Sequence, residues 1–223
     1  MPERALPKPF IKICGLTRAR DSAFASRAGA SMLGFIFHPQ SPRYLSPVEA
    51  KRLPTGGSLR VGVCVGQKAK EIAFLMDKAR LDLAQFHGEQ DLEDARAIGP
   101  EKVIRALWPQ RWESLAQMDD ERKRWEENCA YFLLDSGLRG GGHGQRLDSP
   151  LIEAFAARSA RPVILAGGLS PSHLASLWPW GLDAKISGFD FNSGVETAPG
   201  LKDREALALA LAWGQARQNE SRA

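Results

Sequence analysis

The sequence predicts a protein of the α/β class, a single-domain (β/α)8 barrel over residues 1–223, with 1–8 as a flexible N-terminal extension. Two patterns and one absence lead there. Short β-branched apolar runs alternate with amphipathic helical stretches, which implies parallel strands joined by right-handed crossovers. Eight such units account for the 223 residues, close to the ~250 typical of such barrels. A doubly wound open sheet, the rival architecture, usually carries G-x-G-x-x-G after its first strand, and none follows "FIKIC".

The strands are expected in "FIKIC" (10–14), "MLGFIF" (32–37), "LRVGVCV" (59–65) and "LDLAQFH" (81–87). Four more follow in "KVIRALW" (102–108), "YFLLD" (131–135), "PVILA" (162–166) and "ISGFDFN" (186–192). Between them, "AKEIAFLMDKAR" (69–80) places Ile72, Leu75, Met76 and Ala79 at i, i+3, i+4 and i+7, the helix period. "DLEDARAIG" (91–99) reads as a second helix, and 202–218, rich in Ala and Leu, as the last. The charged run 119–128 reads as a solvated helix face.

The net charge is +4 and resides in residues 1–20, where Arg4, Lys8, Lys12, Arg18 and Arg20 oppose Glu3 alone. The rest is neutral, so no basic stripe for nucleic acid is present, and a small anionic substrate fits better. Three scattered cysteines, with no C-x-x-C, do not form a disulfide framework and point to a reducing, cytoplasmic setting. No stretch approaches the ~20 apolar residues of a membrane span. The four histidines and three cysteines lack metal-ligand spacing, so no metal is expected.

In a barrel of this kind, active groups sit at the C-terminal ends of strands. Cys14 ends the first strand on the same face as Lys12. A lone cysteine is most often an apolar packer, but a neighbouring lysine is expected to lower its pKa and make it reactive. Cys64 and Cys129 read as packing groups. Asp135 either caps the next turn or stands beneath the long glycine-rich loop 136–148 as an acid whose pKa rises on desolvation. His87 ends strand four and is expected to line the pocket, whereas His38, His143 and His173 read as surface groups. Arg43, in a proline-rich loop, is solvated or clasps a carboxylate. Gly167 and Gly168, before a helix capped by Ser170 and opened by Pro171, form a tight turn or a phosphate cradle. Ser193 and Gly194 after strand eight would aim at the same anion.

The motifs "KICGLT", "GFIFHPQSPRYLSP", "VGVCVG", "QFHG", "LLDS", "ILAGGLSP" and "SGVETAPGLKD" occur in this order from about Phe10 to the last helix. In this the chain resembles phosphoribosylanthranilate isomerases. The resemblance implies a TIM barrel that carries out an Amadori rearrangement in tryptophan biosynthesis, on a small phosphorylated substrate, without cofactor or metal, as a monomer or homodimer. It implies Asp135 as general acid, Cys14 as general base, and Arg43 at the anthranilate end. Gly167, Gly168, Ser193 and Gly194 match the phosphate loops. Two departures stand out: His143 replaces a small hydroxyl residue in "GGGHG", and Asn192 stands where serine is commoner. A related barrel isomerase of histidine synthesis commonly uses two aspartates, so Cys14 with Asp135 counts against it. A non-catalytic phosphate- or nucleic-acid-binding barrel is the rival from another class, resting on the basic N-terminal segment.

Overall fold

Eight parallel strands pair in chain order and close on themselves. They are β1 (Phe10–Ile13), β2 (Met32–Ile36), β3 (Leu59–Cys64), β4 (Leu83–Phe86), β5 (Val103–Leu107), β6 (Tyr131–Asp135), β7 (Val163–Ala166) and β8 (Gly188–Phe191). The helices α1 (Ala19–Arg27), α2 (Pro47–Arg52), α3 (Ala69–Ala79), α4 (Leu92–Ile98), α5 (Leu115–Glu126), α6 (Pro150–Arg158) and α7 (Pro171–Leu177) each follow the strand of the same number. Beyond β8 come a short hairpin, β9 (Glu196–Ala198) with β10 (Leu201–Lys202), and the long α8 (Arg204–Glu220). The structure, a computed structural model, describes residues 6–135, 137, 150–177 and 186–220. Of the expected N-terminal extension, Leu6 packs against the barrel interior, and 1–5 lie outside the described residues.

All eight expected strands are present, with ends that differ by a few residues, and the expected helices at 69–80, 91–99 and 202–218 appear as α3, α4 and α8. The β9–β10 hairpin has no counterpart in the sequence reading. Its strands of three and two residues are too short to show a period.

Closure rests on β1 pairing with both neighbours. Lys12 is in register with Met32 of β2 on one side and with Asp190 of β8 on the other. The two-residue repeat of a strand then divides the apolar side chains into two layers. Phe10, Met32, Val61, Leu83, Ile104 and Ile164 point inward and fill the barrel. Ile11, Phe35, Phe86, Phe132 and Phe189 point outward and pack under the helices. Strands buried on both faces read as continuous apolar runs, which is why they were legible without alternation.

Local signals set the helix starts. Ser46 caps α2 through the Glu49 amide, the Glu49 carboxylate reaches back to the Ser46 amide, and Pro47 takes the first position. Asp91 caps α4 by accepting from Glu93 and Asp94 amides. On α5, the expected solvated face is only part of the truth. Arg122 is buried between Asp119 and Glu126, and Trp125 joins the core.

Around α6 the outer core is aromatic. Phe155 stacks on Trp112 with ring centroids 5.4 Å apart and meets Phe132 edge-on at 4.9 Å. Replacing Phe155 by Ala leaves a void between helix and sheet that two rings cannot close. Phe155→Ala is expected to cost about 3–5 kcal/mol, read as a lower urea midpoint at unchanged slope.

Candidate active site

Strand parity carries polar groups to the barrel mouth. On β1 the inward series is Phe10, Lys12, Cys14; on β4 it is Leu83, Gln85, His87; on β8 it is Gly188, Asp190, Asn192. The last members of these series, with Trp108 after β5 and Asp135 on β6, line a cavity of about 570 Å³ open at the C-terminal end of the sheet. Cys14, His87, Asp135, Gly167, Gly168 and Ser193 all face this cavity. One volume thus collects six of the eight candidate residues.

Cys14 is buried, with its amide bonded to Phe191 O at 2.8 Å. Space for its sulfur comes from Gly34 on β2: a Cβ there would lie 2.7 Å from Sγ. Lys12, fully buried, holds Asp190 Oδ2 at 2.7 Å. The lowered thiol pKa expected from Lys12 is not what the structure produces. Burial pushes the Cys14 thiol up, and Asp190 adds to this, while Lys12 and Lys202 pull it down without prevailing. The sequence shows the lysine but not that Asp190 already neutralises it. Burial alone would lower the Lys12 pKa, yet the facing Asp190 and Cys14 raise it, so Lys12 remains an ammonium. The other oxygen of Asp190, Oδ1, is buried without a partner among the described residues, and Asp190 lines the cavity.

Across the mouth, Asp135 accepts the Gly137 amide at Oδ1, 3.0 Å away, and its Oδ2 lies 3.5 Å from His87 Nε2. Gln85 Nε2 sits 3.1 Å from His87 Nδ1, so with the amide in this orientation the ring proton is on Nε2, facing the carboxylate. Trp108 meets the His87 ring edge-on at 5.3 Å. His143 and the remainder of the expected lid, 136 and 138–148, lie outside the described residues.

The loops after β7 and β8 abut. Gly167 and Gly168 take φ of +108° and +73°, conformations other residues rarely adopt. Any Cβ at Gly194 would collide with the Leu169 carbonyl, so glycine lets the two loops touch backbone to backbone. Pro171 opens α7 as expected, and Ser193–Val195 forms a single 3-10 turn. His173, read as a surface group, turns back, its Nδ1 accepting the Ser170 amide at 3.1 Å. His38, also read as a surface group, lines the cavity.

Arg43 departs from expectation in its partner. It stands at the rim, where its guanidinium clasps Glu196: Nε lies 3.0 Å from each carboxylate oxygen, and Nη2 lies 2.6 Å from Oε2. Lys202 joins the same carboxylate at 2.8 Å. Trp108, Asp190, Glu196 and Lys202 were not singled out from the sequence. Inward parity marks the first two, whereas nothing local marks Glu196 as the partner of Arg43, about 150 positions away, or Lys202 as the partner of Glu196.

Fold and mouth together define a TIM-barrel enzyme with its cavity at the C-terminal end of the strands. Residues 11–212 match the N-(5'-phosphoribosyl)anthranilate (PRA) isomerase family. A Desulfovibrio desulfuricans N-(5'-phosphoribosyl)anthranilate isomerase is 50% identical over 203 residues, covering 91% of this chain and 94% of that one. The Thermotoga maritima phosphoribosyl anthranilate isomerase structure superposes with a TM-score of 0.79 at 31% identity, covering 93% and 98% of the two chains. A further isomerase structure, in complex with reduced 1-(o-carboxyphenylamino)-1-deoxyribulose 5-phosphate, has a TM-score of 0.77 at 29% identity, covering 93% and 98%. The chain belongs to the phosphoribosylanthranilate isomerase family, whose members are aldose–ketose isomerases.

Burial holds the His87 pKa below its ordinary 6.5, against the pull of Asp135 in the other direction. The ring is therefore neutral at pH 7. Its contribution to stability is fully present above pH 6.5 and is lost as the pH falls through the lower folded value. The His87 ring resonance is expected to titrate below that of a free histidine, and His87→Asn is expected to lose less stability than wild type between pH 7 and about 5. Burial also pushes the Cys64 and Cys129 thiols up to about 12. Neither is expected to react with a disulfide reagent at pH 8 until the protein unfolds.

Proposed function

We propose that this enzyme converts N-(5-phosphoribosyl)anthranilate into 1-(2-carboxyphenylamino)-1-deoxyribulose 5-phosphate in tryptophan biosynthesis, with Asp135 as general acid and Cys14 as general base. The observation that carries the reading is the single cavity that joins the Cys14 thiol, the Asp135 carboxyl and the paired loops after β7 and β8.

Asp135 donates a proton to the furanose ring oxygen as the bond from that oxygen to C1 breaks, and the nitrogen lone pair forms a Schiff base. The iminium acidifies the proton on C2, which Cys14 removes. The resulting enolamine then tautomerises to the ketose. Cys14 is a thiol at rest, because burial favours its neutral form. The cationic Schiff base brings a positive charge beside it, adding to the Lys12 and Lys202 ammonium groups. That charge favours the thiolate, so Cys14 releases its own proton to solvent in the open cavity and is then free to take the one on C2. His87, with its proton on Nε2, faces the Asp135 carboxylate that remains after donation. Asp190 Oδ1, without a partner among the described residues, accepts a ribose hydroxyl in this reading.

The two loops after β7 and β8 hold the phosphate on backbone amides around Gly167, Gly168, Ser193 and Gly194. Arg43 meets the benzoate at the opposite end. Held at both ends, the ribose lies between acid and base.

The test follows anthranilate fluorescence with freshly generated phosphoribosylanthranilate. Cys14→Ser and Asp135→Asn are each expected to lower kcat by about 10²–10⁴-fold while retaining the fold by circular dichroism. Full turnover by either variant removes that residue from the mechanism. A wild type without turnover removes the activity itself.

A further inference from the structure

The rim beside Cys14 contains a buried knot of charge. Glu196, 3% exposed at its side chain, is shared by two cations, Arg43 and Lys202, the latter fully buried. Its Oε1 also accepts the Gly200 amide at 3.2 Å. Lys202 Nζ spends its other protons on Asn192, reaching the carbonyl at 3.0 Å and Oδ1 at 3.1 Å. Burial raises the Glu196 pKa on its own, but hydrogen bonds from Arg43 and Lys202 outweigh it and hold the carboxylate ionised.

Two cations against one anion leave a surplus positive charge at the cavity rim. Glu196 occupies Nε and one proton of Nη2 of Arg43. The opposite edge of the guanidinium, Nη1 with the second Nη2 proton, has no hydrogen bond to the described residues that competes for it. A guanidinium is planar, so fixing one edge fixes the other. The Arg43 stem has room because Gly15, at φ +67°, has no Cβ: one there would lie 2.7 Å from Arg43 Cδ and 2.5 Å from Asn192 Oδ1.

We propose that Glu196 is a positioning residue for substrate selection: it turns the open edge of Arg43 toward the carboxylate of the aromatic amine. Lys202 holds Glu196 in place from behind. The inference rests on the reading that Arg43 engages the benzoate. Without Glu196 the arginine keeps its charge but loses its fixed direction, and recognition of a planar carboxylate suffers more than any other step.

The measurement is KM and kcat for two substrates, phosphoribosylanthranilate and its analogue made from aniline, which lacks the carboxylate. Glu196→Gln is expected to raise KM for the carboxylated substrate about tenfold or more and to leave KM for the aniline analogue within about twofold. Should Glu196→Gln fold poorly, Glu196→Asp keeps the charge but draws it back by one methylene, and the same selective rise is expected. Equal effects on both substrates, or none, overturn the proposal, because a residue that only staples the hairpin cannot distinguish them. Arg43→Gln separates the two layers of inference. If it abolishes the preference for the carboxylated substrate while Glu196→Gln does not, the positioning role alone falls. If it leaves the preference intact, the benzoate reading falls and this inference falls with it.

Discussion

The ion pair between Lys12 and Asp190 crosses the seam at which β1 meets β8 and the barrel closes. Both groups are buried, and two charges taken out of water stabilise a fold only when their geometry satisfies one another. At 2.7 Å they do. The pair fixes register, because a slip of one residue on either strand would turn a charge into the apolar layer under the helices. It also sets the electrostatics of the mouth. Burial raises the thiol pKa, Lys12 gives the strongest pull downward, and its partner Asp190 pushes it back up.

From that seam the rest of the site is arranged by parity. Each strand delivers one side chain per two residues to the interior, and the topmost falls at the mouth whatever its chemistry. The bottom layer is apolar and packs, Lys12, Gln85 and Asp190 lie buried in the layer above it, and Cys14, His87 and Asn192 face the cavity. One sheet therefore supplies a rigid floor and a reactive rim without separate scaffolding. Asp135 on β6 and Cys14 after β1 lie on well-separated strands and face one cavity.

How much of this was legible in the sequence depended on the range of each interaction. The eight strands were visible because both faces of each are buried, and "ILAGGLSP" betrayed its turn through glycine, serine and proline, residues with local reasons to be there. The Cys14 environment was only half visible. Lys12 is two positions away, but Asp190 is reached only by closing the barrel, and burial itself is a property of the whole. Glu196 and Lys202 were invisible for a similar reason. Their partners are Arg43 and Asn192, brought together by a hairpin too short to show a pattern.

That hairpin ties the chain's two ends into one arc of the rim. Thr17 Oγ1 donates to Gly200 O at 2.6 Å, Arg18 reaches Lys202 O, and the Lys202 amide reaches Asp21. A growing polypeptide acquires Lys12, Cys14 and Arg43 well before Asp190, Glu196 and Lys202, which neutralise the lysine and hold the arginine. The surroundings of Cys14 and Arg43 are therefore set only when residues 190–202 have been made and have folded back beside β1.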